Sequence, residues 1–127
     1  MSLQEEVAGR SSGPGASRPQ VLGQAVVVQY ESHGVRVVGA RGSFDIDSIT
    51  YLADALAAAR REHTRVVLDA SGITFADSAL LNLLILTHQA TDLRAAAPTE
   101  QLQRLLQVTG VDTVLKVRAT VEEAAAC

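Results

Sequence analysis

An acid and a hydroxyl stand side by side at Asp77-Ser78, directly ahead of a run in which Leu80, Leu81, Leu83, Leu84, Ile85 and Leu86 follow with barely a polar interruption. A hydroxyl at a helix start sits beside backbone N–H groups without intrahelical partners and at the positive end of the macrodipole, a place that suits a phosphate. Asp45 and Asp69 are further acids expected along the same edge, because parallel α/β sheets present functional groups at the carboxyl ends of their strands. The plainer role of such aspartates is to cap helices or to accept hydrogen bonds from loop amides, and Asp47 is read that way.

Acyl-transfer chemistry at Ser78 would need a base from His33, His63 or His88. His88 lies ten residues along the same expected helix, about 15 Å by helical rise, so the two side chains cannot meet. His63 precedes the expected buried strand, at the opposite end of the sheet, and no G-x-S-x-G elbow surrounds the serine. Neither G-x-x-x-x-G-K-[ST] nor G-x-G-x-x-G occurs, and His and Cys do not cluster at ligand spacing, so no cofactor and no metal is expected. A phosphoaspartate receiver domain is a closer rival through Asp69, but the adjacent acidic pair such domains carry after the first strand is missing. The chain reads as a non-enzyme with no catalytic residues.

The elements that must position these groups follow from periodicity. Residues 1–20, with Ser11-Ser12-Gly13-Pro14-Gly15 and Pro19, lack apolar periodicity and are expected to be a flexible tail; residues 21–127 form the domain. Ala25-Val26-Val27-Val28-Gln29-Tyr30 and Val35-Arg36-Val37-Val38 are β-branched runs around Glu31-Ser32-His33-Gly34, a hairpin. Asp47-Ser48 offers an N-cap to a helix whose Ile49, Leu52, Ala53 and Leu56 form one stripe, reaching about Arg61. Arg65-Val66-Val67-Leu68, ending at Asp69, suits a strand buried on both faces of a parallel sheet.

The helix opened by Asp77-Ser78 is apolar all round, the pattern of a buried helix. A short strand over Leu93–Ala97 precedes a helix that starts at Pro98-Thr99-Glu100 and stops at Gly110. An edge strand follows near Val114–Val117, and Thr120-x-x-Glu123 is a capping box for a last short helix. The expected fold is a single α/β domain: an opening hairpin, then a mixed, mostly parallel sheet of four to five strands with about four helices.

Composition excludes other classes. Eleven Lys plus Arg against 14 Asp plus Glu give a net charge of −3, and with two Phe, two Tyr and no Trp there is neither the basic footprint nor the stacking surface of a nucleic-acid binder. No apolar run approaches the 18 or so residues of a membrane span. The single cysteine, Cys127, and the absence of a signal-peptide core at the start point to a reducing, cytoplasmic setting.

The run Val66-Val67-Leu68-Asp69-Ala70-Ser71-Gly72-Ile73-Thr74-Phe75-Ala76-Asp77-Ser78-Ala79-Leu80-Leu81 resembles the signature of the STAS domain, the fold of bacterial anti-sigma factor antagonists. Val37–Asp45, Gln103–Asp112 and Thr120–Ala124 resemble the family's strand and Gly-x-x-Asp turn, its late helix and its closing helix. Ten arginines to one lysine, with abundant alanine, associate the chain with GC-rich bacterial genomes. The resemblance implies a binding module that, when unphosphorylated, binds an anti-sigma factor with serine kinase activity and is switched off by phosphorylation of Ser78. It also implies a partner surface of Asp45, Asp77, Ser78, Ala79, Leu80 and Asn82. Leu80 and Asn82 stand where the family usually has glycines, so that surface is expected to be bulkier here, and the segment before Pro98 is shorter, which ends the helix near Gln89. A STAS-like scaffold that is never phosphorylated and acts by protein association or ligand capture is the alternative.

Overall fold

The two longest early strands, β2 (Ala25–Ser32) and β3 (Val35–Phe44), are joined by only His33 and Gly34. Both turn residues have positive φ, 55° and 76°, the geometry whose twist matches that of paired strands. The computed structural model describes residues 20–22 and 25–126. Of the expected tail only Gln20 falls among them; the rest lies outside the described residues. Gln20 opens β1 (Gln20–Leu22), which pairs antiparallel with β2 and adds one short strand to the four or five expected. The chain continues through α1 (Ile49–Glu62), β4 (Arg65–Ala76), α2 (Ser78–Ala90), β5 (Asp92–Ala96) and α3 (Glu100–Thr109). A 3-10 turn (Val111–Thr113), β6 (Lys116–Arg118) and α4 (Val121–Ala126) complete it. The strands lie in sequence order across one six-stranded sheet, antiparallel up to β3 and parallel from there to β6.

Alternation along the central strands fills two cores. Val38, Val66, Leu68 and Leu93 pack against Leu52 and Leu56 of α1, Leu80 and Leu84 of α2, and Leu102 and Leu106 of α3. Val35, Val37, Val67 and Ala96 turn to the opposite face and meet Ala124 and Ala125 of α4. Val66, Val67 and Leu68 are all at 0% exposure, as a strand covered on both sides requires. Burying each such side chain stabilises the fold by about 1.5–3 kcal/mol. Local chemistry sets the helix ends: Thr99 accepts from Leu102 N, Thr120 from Glu123 N, and Gly110 ends α3 in the left-handed conformation.

Two sequence expectations are corrected here. β4 does not end at Asp69 but runs on to Ala76, because the pairing with β3 survives two irregularities: Gly39 faces Asp69 and the next pair is Arg41 with Gly72, then Gly42 faces Ile73 and the next pair is Ser43 with Phe75. Asp69 Oδ1 satisfies the loosened segment by accepting from Ser71 N at 3.1 Å and Ser71 Oγ at 2.8 Å. Gly72 lets the strands close up again, since a Cβ there would sit 2.6 Å from Arg41 Cγ and 3.2 Å from Ala40 O. The second correction concerns α2, which is not buried all round: Leu80, Leu81, Leu84 and Thr87 face the core, whereas Leu86 is 54% exposed.

On the α4 face a charged clamp holds the chain's last helix. Arg94, only 3% exposed, donates from Nε and Nη2 to the two oxygens of Asp92 and from Nη1 to Ala124 O. Arg65 donates to Asp92 Oδ2 at 3.2 Å and to Ala125 O at 2.8 Å. Two guanidinium groups thus bind the carbonyl end of α4, where the macrodipole favours cations. The hydrogen bond from Arg94 holds the Asp92 carboxyl below its ordinary value of 3.8, with the charge of Arg94 and the Arg65 hydrogen bond assisting against the opposing effect of burial.

Two outcomes follow for stability. Gly72→Ala, read by urea unfolding, should cost about 1–3 kcal/mol through overpacking against Arg41. A carboxyl with a depressed folded pKa contributes stability that is present above its unfolded pKa, near 3.8, and is lost as pH falls through the folded value. Asp92→Asn should therefore lower Tm at pH 7 by leaving Arg94 without its counter-charge, and should flatten the decline in Tm below about pH 4.

Candidate functional site

Phe44 at the end of β3 is paired with Ala76 at the end of β4, so Asp45 and Asp77 leave neighbouring parallel strands together. Each acid is consumed by the helix that follows it. Asp45 Oδ1 accepts from Asp47 N at 3.0 Å and Ser48 N at 3.1 Å. The Ser48 hydroxyl accepts from Asp45 N and has its one proton within reach of Ser43 O at 3.0 Å and Asp45 Oδ1 at 3.2 Å. The N–H donors of Asp47 and Ser48 draw the Asp45 carboxyl below its ordinary value. Capping ahead of α1 is thus the work of Asp45, four residues before the helix, whose carboxylate accepts from the turn ahead of it, and not of Asp47, whose side chain is exposed.

Asp77 is the N-cap of α2. Its Oδ1 accepts from Ala79 N at 2.9 Å, and its carbonyl accepts from Leu80 N and Leu81 N. Fewer N–H groups are open at this helix start than its sequence suggests, since Asp77 already takes those of the second to fourth residues. Ser78, the first residue of α2, is exposed, and its hydroxyl has no hydrogen-bond partner among the described residues. A serine hydroxyl is therefore offered to the outside, held by a capped helix and close to two half-buried acids.

The six expected surface residues divide. Asp45, Asp77, Ser78, Ala79 and Asn82 are exposed or half-buried around one end of α2. Leu80 is corrected: at 0% exposure it belongs to the main core and adds no bulk to the surface. Along α2, Ser78, Asn82 and Leu86 recur every fourth residue and form one exposed stripe. Asp69 stays behind in mid-strand and does not join the edge. Ile46 and Phe75 were missed; both stand exposed near the two acids, and the only signal in the sequence was a branched residue directly after Asp45 and an aromatic two before Asp77.

The histidines sit elsewhere. His33 is in the turn before β3 and His63 precedes β4, where its Nε2 meets Glu31 at 3.2 Å, while His88 is in the last turn of α2. All three gather toward the amino ends of β3 and β4, a long strand away from Ser78. Among the described residues no three His, Cys, Asp or Glu side chains group to hold a metal ion, and no helix is long and apolar enough to cross a membrane.

A family described as Mlab, STAS domain, matches residues 28–118. Among solved structures, an anti-sigma factor antagonist from Mycobacterium paratuberculosis is 23% identical, with 80% of this chain and 92% of that one covered and a TM-score of 0.74. An anti-sigma-factor antagonist (STAS) domain protein from Planctomyces limnophilus is 20% identical, covering 79% of this chain and 95% of that one, with a TM-score of 0.67. The anti-sigma factor antagonist SpoIIAA in its unphosphorylated form is 15% identical, with 84% and 90% covered and a TM-score of 0.60. These likenesses are likenesses of fold. No curated protein sequence matches the chain.

Replacing Asp77 by Ala should remove the cap of α2 and cost about 0.5–2 kcal/mol in chemical denaturation. Asp77→Asn, which keeps the acceptor oxygen, should restore most of that loss; equal losses in the two variants would mean that the charge rather than the cap is what α2 needs.

Proposed function

Because the chain belongs to the STAS domain family, we propose that it is an anti-sigma factor antagonist switched by phosphorylation of Ser78. In its unphosphorylated form it binds an anti-sigma factor that is also a serine kinase, and the sigma factor is released. The kinase brings ATP and magnesium, transfers the γ-phosphoryl group to Ser78 Oγ with loss of the hydroxyl proton, and leaves ADP. The protein itself performs no catalysis, and neither nucleic acid nor membrane takes part in the contact.

The observation that carries this reading is the exposed Ser78 hydroxyl, without a partner among the described residues, on the first residue of a helix already capped by Asp77. Phosphorylation adds about −1.5 to −2 charge. The helix dipole favours an anion at this position, and the hydroxyl takes no part in the core, so the domain can carry the phosphate without unfolding. The cost falls on a docked partner instead. A phosphate beside Asp45 and Asp77 adds bulk, a large desolvation penalty and repulsion of any partner carboxylate. SpoIIAA, whose fold this chain shares, is known in both unphosphorylated and phosphorylated forms, which supports a switch that leaves the domain folded.

Calorimetric titration against the cognate anti-sigma factor tests this. Ser78→Ala should bind like unmodified wild type. Ser78→Asp should bind at least tenfold more weakly, about 1.4 kcal/mol, and kinase-treated protein more weakly still. Phosphate should map to Ser78 by mass spectrometry. Equal affinities for all four forms would refute the switch and favour the scaffold that is never phosphorylated, with exposed Asn82 as its distinguishing surface residue.

A further inference from the structure

On the far side of the β4 terminus from α1, the last residues of that strand and one face of α3 enclose an open groove of about 280 Å3. Its walls are apolar: Phe75 and Ala76 on the strand side, Leu102, Leu105 and Val108 on the helix side. Two of these walls are unusually wet for their type, Phe75 at 49% exposure and Val108 at 79%. A single charge faces the same space. Arg104 lines the groove and makes neither an ion pair nor a side-chain hydrogen bond among the described residues, and Glu100, one turn earlier on the same helix, does not pair with it.

We propose that this groove is a binding site for a small apolar monocarboxylate, whose carbon chain lies along Phe75, Leu105 and Val108 and whose carboxylate meets Arg104. A planar guanidinium takes a carboxylate through two parallel N–H donors, which fixes the head and sets the direction of the chain. Size selects the class. At about 280 Å3 the groove lies at the low end of ligand pockets, enough for one medium-length chain and too small for a two-chained lipid. Its helical wall from Gln101 to Val108 runs about 10 Å by helical rise, which sets a similar length. A folded partner's segment would need a longer trough than this. Charge separates the ligand from a neutral one, since Arg104 is the one charged side chain among the groove's lining residues.

The site is independent of the proposed switch, although Ala76 in its wall is two residues from Ser78. The probe is sodium octanoate, titrated calorimetrically into the full chain, with octanol and acetate as controls for chain and head alone. Octanoate should bind one to one, and hexanoate more weakly by roughly threefold to fourfold per methylene removed. Arg104→Gln, a change at an exposed position, should weaken octanoate at least tenfold while leaving octanol binding unchanged. Val108→Asp should abolish octanoate binding and leave Tm within a few degrees of wild type. Octanoate affinity that is the same in wild type and Arg104→Gln, or no saturable binding at millimolar octanoate, would overturn the proposal. So would a partner segment seated in the groove that octanoate fails to displace.

Discussion

The parallel pairing of β3 with β4 is the constraint on which the rest of the molecule depends. It joins the antiparallel hairpin to the parallel half of the sheet, and its last pair, Phe44 with Ala76, brings Asp45 and Asp77 out side by side. Because both strands point the same way, α1 and α2 start from one edge and return across one face, where Leu52, Leu56, Leu80 and Leu84 share a core. The register is not regular. It survives two extra residues on β4, the first because Gly72 has no side chain where Arg41 passes and because Asp69 answers the amide and hydroxyl of Ser71. A motif that reads in sequence as Asp-x-Ser-Gly is, in space, the repair of one bulge.

With the strand ends fixed, the distribution of hydrogen bonds decides which group is left for chemistry. Both acids are spent on orphan amides, Asp45 on the turn before α1 and Asp77 on the first turn of α2. Ser48, also at a helix start, has its hydroxyl engaged with Ser43 and Asp45 and is buried. Ser78 occupies the equivalent corner of the next helix, exposed and with its hydroxyl unengaged among the described residues. Two serines of the same type at two neighbouring helix starts thus have opposite fates. Backbone geometry causes the difference: Ser48 sits one residue ahead of its helix, where its oxygen turns back to the preceding strand, and Ser78 sits inside the first turn, where it turns out.

What could be read from the sequence was what local chemistry determines. The hairpin, the Thr99 and Thr120 caps and the stop at Gly110 each depend on residues within four positions, and each is present. The buried run Val66-Val67-Leu68 was legible because no polar residue interrupts it. Three features were not legible. The extension of β4 beyond Asp69 depends on a partner strand some 30 residues earlier and on a bulge that no periodicity announces. The burial of Leu80 beside the exposure of Leu86 could not be told apart in a helix where nearly every position is apolar; only packing against α1 and β4 selects a face. Asp45 rather than Asp47 caps because of the backbone path leaving β3, and both are aspartates.

The exposed apolar side chains follow from the same geometry. α2 covers the sheet with the face of Leu80, Leu81, Leu84 and Thr87, and Leu83 and Ile85 pack partly buried against the same core, yet the helix carries Leu86 as well. Leaving Leu86 half in water gains the isolated domain nothing, since the hydrophobic contribution of a side chain comes only with its burial. Phe75 presents the same excess on the strand side. Surplus apolar surface rimmed by polar groups is what a domain carries when its function lies in contact with another molecule. The backbone from Ala76 to Ser78 divides that surface in two, the stripe of Ser78, Asn82 and Leu86 on one side and the groove under Phe75 on the other. A charge added at Ser78 changes the first directly, on a residue that Asp77 has already pinned into the first turn of α2.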